Sequence, residues 1–353
     1  MLAFMKQFVG SIFSKDLGID LGTCNTLVYV RGKGIVLSEP SVVAVNKLTN
    51  KVAMDGAAVG VVAKEMIGKT MEKVVAIRPM KDGVVTDFDV TSDMINYFIK
   101  KVHSHTFGVM PRVVIAVPSG ITKVEKRAVV AAAERAGARR VFLIEEPVAA
   151  AIGAGLPILD PIGSMIVDIG GGTAEIAILS CGIINGSKSV RMAGDEFDKA
   201  IIAHIKGKYG LMIGEQTAER IKVEIGSVMP LQEEQGMTVR GLDVGTRMPR
   251  EVSINSKEVR VALMGPVSQI IGGIREVLDR TLPEIAADLL STGITLAGGG
   301  SQLRGIDRLI GKEINIPVKV AEDPMTCVAR GTGAIIENLD RFKVTLESDE
   351  DIN

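Results

Sequence analysis

Two short segments place an acidic side chain just ahead of a turn built from small residues. In the first, Asp20 stands near the end of Leu17 to Leu21 and is followed by Gly22, Thr23, Cys24 and Asn25. In the second, 148 positions later, Asp168 stands near the end of Ser164 to Ile169 and is followed by Gly170, Gly171, Gly172 and Thr173. A β-rich stretch comes next each time, Thr26 to Val30 and Ala174 to Leu179, so both read as strand, tight turn, strand. Such a turn presents successive backbone N–H groups into one concavity, which suits a polyphosphate. A carboxylate beside phosphate oxygens calls for a cation between them, and a hard oxygen-seeking ion such as Mg²⁺ fits. One hairpin alone is better explained by an aspartate that caps its own turn. Two matched copies favour phosphate binding.

Glu145-Glu146-Pro147 sets two carboxylates at a strand end, just ahead of an Ala-rich helix with Pro147 in its first turn. One is a candidate charge partner for the helix N-terminus. The other is a candidate for orienting water. A third glycine turn, Ala297-Gly298-Gly299-Gly300, follows the apolar run Ile294 to Leu296 and is expected to open a helix at Ser301. Two further patterns carry little. Gly68-Lys69-Thr70 resembles the end of a P-loop, but Ala63 replaces the leading glycine and residues 57–67 read as helix. The 298–300 turn lacks the third glycine of a dinucleotide fingerprint, where Leu303 stands.

The elements that must position these residues follow an α/β alternation. A strand over Arg112 to Val117, a helix over Lys123 to Ala136, a strand over Val141 to Ile144 and a helix from Pro147 to about Ala154 lie between the two hairpins. The doubled hairpin is an internal repeat at domain scale, so two related halves are expected. Segments at about 38–78 and 193–255 break the alternation and read as insertions. Glu347 to Asn353 read as a short solvated acidic tail.

Length and composition agree: 353 residues suggest two domains at roughly 150 each. With 41 Lys+Arg against 42 Asp+Glu and 3% aromatics, the basic excess and stacking rings expected of a nucleic-acid binder are missing. Cys24, Cys181 and Cys327 are scattered, and His103, His105 and His204 are too few for a metal cluster. Dispersed cysteines fit a reducing compartment. No uninterrupted apolar run reaches the ~18–20 residues of a spanning helix, the longest candidate, Val148 to Leu159, being broken by Gly153, Gly155 and Pro157. Phe4, Met5, Phe8, Val9, Ile12 and Phe13, however, fall at helical spacing on one face of residues 1–15. Such a helix can pack on the protein's own core or lie in a bilayer interface, and its place ahead of the first strand favours the bilayer.

Taken in order, Asp20-Leu21-Gly22-Thr23, Glu146-Pro147, Asp168-Ile169-Gly170-Gly171-Gly172-Thr173 and Ala297-Gly298-Gly299-Gly300 resemble the actin, heat-shock chaperone and sugar-kinase ATPase superfamily. Within it the chain is similar to the MreB family of bacterial actin homologues, from about Leu17 to Leu339. The resemblance implies an α/β actin-like ATPase fold: two related domains, each with a smaller inserted subdomain, and ATP (ADP after hydrolysis) with Mg²⁺ in the cleft between them. Domain I would be 16–153, carrying the insertion at 38–78 and completed by 328–353. Domain II would be 154–327, carrying the insertion at 193–255, and residues 1–15 would be a membrane-binding helix.

By the same resemblance Gly22, Thr23, Cys24 and Asn25 form one phosphate hairpin and Gly170, Gly171, Gly172 and Thr173 the other. Asp20 and Asp168 would hold Mg²⁺ and its waters, and Glu146 with Thr173 would polarise and place the attacking water. Glu219 and Lys222, on a helix around 217–223, and Gly298, Gly299 and Gly300 would meet the adenosine. Leu27 stands where actin has a phosphate-binding lysine, which shifts the contact to Asn25 and backbone amides. Phe107 in the loop 103–110 would add a second membrane device. The implied protein assembles head to tail into filaments on the inner face of the cytoplasmic membrane and organises cell-wall elongation with membrane scaffold proteins, without nucleic acid. A small-molecule, sugar-type kinase is the alternative from another class.

Overall fold

The computed structural model describes residues 16–67, 74–81, 84–102 and 110–348. The membrane-directed residues Phe4, Met5, Phe8, Val9, Ile12, Phe13 and Phe107, and Gly68-Lys69-Thr70, lie outside them. The chain divides into two compact units, one running to Leu159 and resuming at Thr326, the other Asp160–Met325. The sequence put these limits at 153/154 and 327/328. The first difference has a local cause: the N–H groups of Ala154, Gly155 and Leu156 donate back to Ala150, Ile152 and Ala151, so the segment stays with its helix.

The first unit begins with a meander of β1 (Leu17–Leu21), β2 (Asn25–Val30) and β3 (Gly34–Pro40). The insertion follows, with β4 (Val43–Asn46), α1 (Val61–Met66) and β5 (Val74–Ile77) around a small cluster of Val42, Ala44, Ala58 and Ala63. A two-residue pair, β6 (Met80–Lys81) and β7 (Val84–Val85), leads into α2 (Phe88–Val102). Val90, Met94, Ile95, Phe98 and Ile99 form the buried stripe of α2, the spacing that lays a helix on a sheet. Next come β8 (Arg112–Val117), α3 (Lys123–Arg135), β9 (Arg140–Glu145) and α4 (Glu146–Gly153). A capping box starts α3: the Thr122 hydroxyl accepts from the Glu125 N–H, and the Glu125 carboxylate accepts from the Thr122 N–H at 2.6 Å.

The second unit repeats the plan. A meander of β10 (Ser164–Ile169), β11 (Ala174–Ser180) and β12 (Ile183–Val190) is followed by α5 (Gly194–Tyr209), β13 (Leu211–Met212), α6 (Glu215–Ile225), β14 (Gly236–Asp243) and β15 (Pro249–Asn255). Then come α7 (Ser256–Asp279), α8 (Pro283–Thr292), β16 (Ile294–Ala297), α9 (Ile306–Ile314) and β17 (Val318–Val320). The main sheet has the order β12-β11-β10-β16-β17. Every residue of β10 and β11 is buried, as continuous apolar strands covered on both faces should be. The chain then returns to the first unit as α10 (Cys327–Glu337), α11 (Leu339–Phe342) and β18 (Glu347–Ser348), completing a sheet of order β18-β9-β8-β1-β2-β3.

Three expectations change. No α-helix opens at Ser301; a single 3₁₀ turn spans Gly299–Gln302 and α9 starts at Ile306. The start of the acidic tail is not merely solvated, because Glu347 and Ser348 pair with Leu143 and Phe142 and Lys126 holds Glu347 at 2.6 Å. And α7, at 24 residues, is long and apolar enough by composition to cross a membrane. Its apolar residues Val259, Leu263, Val267, Ile270, Ile274 and Val277 are instead buried in the core of the second unit.

Candidate functional site

The two hairpins match in register, not only in residue type. Asp20 faces Leu27 across its hairpin and Ala116 on the parallel neighbour β8. Asp168 faces Glu175 across its hairpin and Ala297 on the parallel neighbour β16. Each aspartate therefore stands at the carboxyl end of a central strand, where parallel sheets gather ligand-binding groups. In the first unit the adjacent β9 ends at the same edge, since Val117 pairs with Glu145 and Glu146 follows. Asp20, the Gly22–Asn25 turn and Glu146 thus share one edge of one sheet.

The first turn is braced by a residue the motif does not contain. Ser41 donates its hydroxyl to the Gly22 carbonyl (2.5 Å) and its N–H to the Cys24 carbonyl (2.9 Å). Its hydroxyl also lies 2.9 Å from that of Thr26. Thr23 is buried while Gly22, Cys24 and Asn25 are half-buried, and Asn25 opens β2 opposite Pro40. Glu145 is the N-cap residue of α4, without a side-chain cap bond, and Glu146 is the buried acid of the first turn. Helix α4 is seated by backbone contact with α10: a Cβ on Gly331 would collide with the Ala149 carbonyl, and one on Gly153 with the Cys327 carbonyl.

The second turn is closed by the Gly170 N–H donating to the Thr173 carbonyl (2.9 Å). The first turn of α5 is stitched to it, with Gly194 N–H donating to Gly170 (3.1 Å) and Asp195 N–H to Gly171 (2.8 Å). Lys222 of α6 donates to the Gly194 carbonyl (3.1 Å) and lies 2.9 Å from Asp198. Glu219 is exposed one turn earlier. The third turn lies against the second: Gly298 has φ +78°, and a Cβ there would strike the Ile169 carbonyl and the Asp168 carboxylate. Only glycine meets both demands. In the second unit, then, Asp168, Gly170 to Thr173, Lys222 and Gly298 to Gly300 converge. Ser41, Gly194, Asp195 and Asp198 were not legible as site residues. The one available signal was Gly194-Asp195 at the start of a helical pattern.

Burial, and secondarily the charge of Glu175, pushes the Asp168 carboxyl up to about 7. A buried aspartate facing a second carboxylate is a site whose charge a bound cation would offset. The oxygen-only donor set suits Mg²⁺, and the glycine surface at 298–300, where a side chain is excluded at Gly298 and Gly300, suits close approach of a flat ligand. Among the described residues no group of three or more His, Cys, Asp or Glu could by itself hold a metal ion.

The family model described as MreB/Mbl protein matches residues 14–344. The chain belongs to the MreB/Mbl family. The cell shape-determining protein MreB of Escherichia coli K12 is 52% identical over 347 residues, covering 98% of this chain and all of that one. Among solved structures, MreB5 of Spiroplasma citri bound to AMPPNP superposes with a TM-score of 0.87 at 36% identity, covering 93% of this chain and 97% of that one. The MamK double helical filament matches with a TM-score of 0.78 at 23% identity, over 92% of this chain and 99% of that one, and speaks for the fold alone. The actin-like fold expected from the motifs is the fold of this MreB/Mbl chain, and a sugar-type kinase is not favoured.

Proposed function

We propose that this chain is an actin-like cytoskeletal ATPase whose filaments lie on the inner face of the cytoplasmic membrane and maintain cell shape. The observation that carries the reading is the doubled hairpin, with an aspartate in the same register of each copy. The cell shape-determining relative and the AMPPNP-bound MreB5 support it.

Backbone N–H groups of Gly22 to Asn25 in one unit, and of Gly170 to Thr173 in the other, bind phosphate oxygens. Asp20 and Asp168 would hold Mg²⁺ and its waters. Glu219, Lys222 and Gly298 to Gly300 bind the nucleoside. Bound Mg²⁺–ATP supplies a transferable phosphoryl group and neutralises its charge. Glu146 accepts a hydrogen bond from water at its carboxylate and so orients it, and the Thr173 hydroxyl holds that water in place. The buried setting of Glu146, on a helix locked against α10, keeps the carboxylate in one position.

The apolar face of residues 1–15, with Phe107, attaches the subunit to lipid. One short helix binds weakly, whereas a filament presenting many binds firmly through effective concentration. The balanced charge makes inserted apolar side chains matter more than attraction to anionic lipid. Attached filaments recruit cell-wall elongation and membrane scaffold proteins.

Electron microscopy with Mg²⁺–ATP, with and without liposomes, tests this directly. Nucleotide-dependent filaments that coat the vesicles are expected. Monomers under all nucleotide conditions, or filaments that ignore the vesicles, would overturn the corresponding half.

A further inference from the structure

Asp198 has no part in the motifs, yet it sits where two nucleotide-directed elements meet. The first turn of α5 is fixed to the Gly170-Gly171 turn by the Gly194 and Asp195 N–H groups, at 3.1 and 2.8 Å. One helical turn on, the buried Asp198 carboxylate lies 2.9 Å from the Lys222 ammonium, which reaches over from α6 and donates to the Gly194 carbonyl at 3.1 Å. A Cβ placed on Gly194 would stand 3.4 Å from the Gly170 oxygen and 3.6 Å from both Gly171 Cα and Lys222 Nζ, so ammonium and turn crowd the same point. A free lysine head sweeps a wide volume on its four-carbon stem. The hydrogen bond to Gly194 and the ion pair with Asp198 remove that freedom.

We propose that Asp198 is a positioning residue for nucleotide binding: its ion pair fixes the Lys222 ammonium beside the second phosphate turn, with donor capacity left for an oxygen of the nucleotide. The inference rests on the nucleotide reading of the same site. The charged groups around Asp198 are Lys222 and Glu219 from α6 and Asp195 from its own helix, and the turn contributes backbone only. Burial raises its pKa to about 6, against the pull of Lys222 and with the help of Glu219 and Asp195. At pH 7.5 the anchor is charged. On mild acidification it takes a proton, so binding weakens with no change of covalent structure.

The test is calorimetric binding of Mg²⁺–AMPPNP to the full-length protein from pH 7.5 to 5.0, for wild type, Asp198→Asn, Asp198→Glu, Lys222→Gln and the Asn/Gln double variant. Asp198→Asn should bind about tenfold more weakly at pH 7.5, the scale of a charge-assisted hydrogen bond, with the ratio to wild type shrinking towards one by pH 5. Asp198→Glu should recover part of the loss, and Asp198→Asn should cost nothing further once Lys222 is glutamine. Wild-type affinity in Asp198→Asn at pH 7.5, a ratio constant with pH, or an equal loss in the Lys222→Gln background would overturn the role. If wild type itself binds no AMPPNP at any pH, the nucleotide reading fails and takes this role with it.

Discussion

Asp168→Asn should make the nucleotide-free protein more stable and weaken its stabilisation by nucleotide. The aspartate titrates at 3.8 by its ordinary chemistry and at about 7 in the fold, where burial dominates and Glu175 adds. Because the folded value is raised, the folded state binds the proton more tightly than the unfolded chain. The contribution of Asp168 to stability is therefore most favourable below pH 4 and declines as pH rises through 7. At about 1.36 kcal/mol per pK unit, holding the carboxylate charged costs roughly 4 kcal/mol. Asparagine removes that cost and the repulsion from Glu175, although it gives up some of the aspartate's hydrogen bonding.

Differential scanning fluorimetry in EDTA at pH 7.5 should place the variant several degrees above wild type. A domain of this size gains about 2–4 °C per kcal/mol. The gap should close as pH falls to 4. Saturating Mg²⁺–AMPPNP should close most of the gap, because a ligand at 100 times its Kd stabilises by about 2.7 kcal/mol only where its site is intact. A variant that melts below wild type in EDTA at pH 7.5 would refute the claim that this carboxylate is held against its own desolvation. Equal stabilisation by Mg²⁺–AMPPNP in both proteins would refute its place at the cation.

Glu146→Ala should cut phosphate release by two orders of magnitude or more, within the range of general acid–base effects, while AMPPNP affinity barely changes; unchanged release removes the water-orienting role. Gly331→Ala should displace α4 and slow phosphate release without touching any nucleotide group, and an unaltered rate would mean that the α4–α10 contact does not place Glu146. Ser41→Ala should destabilise the protein by about 1–3 kcal/mol, since the Gly22 carbonyl loses a buried donor, and loosen phosphate affinity; chemical denaturation and AMPPNP titration check both. Deletion of residues 1–15 should abolish co-sedimentation with liposomes while filaments still form, and full co-sedimentation would transfer the role to the Phe107 loop. Incubation with hexoses and ATP should yield no phosphorylated sugar; a stoichiometric product would reopen the kinase reading.

Each hairpin could be found in the sequence because its making is local. A strand, a small-residue turn and a returning strand are specified within about a dozen residues, and repetition 148 positions later marked the two halves. The helix starts at Thr122 and Pro147 were legible for the same reason, since caps act within one turn. What packs onto these pieces was not legible. Ser41 reaches Gly22 from 19 residues away, and Lys222 reaches Gly194 from 28. Gly298 meets Asp168 and Gly331 meets Ala149 across most of a domain or more. The pairing of Glu347 turned on a sheet neighbour that no local spacing encodes. The same holds for charge. Residue type makes Asp168 an ordinary carboxylic acid, and only its enclosure between β11 and β16, facing Glu175, makes it a group that titrates near 7. Sequence determined which backbone turns exist and where the acids stand along them; tertiary packing decided which distant atoms brace those turns and how much water each acid loses, because desolvation and close contact are properties of what the chain brings alongside.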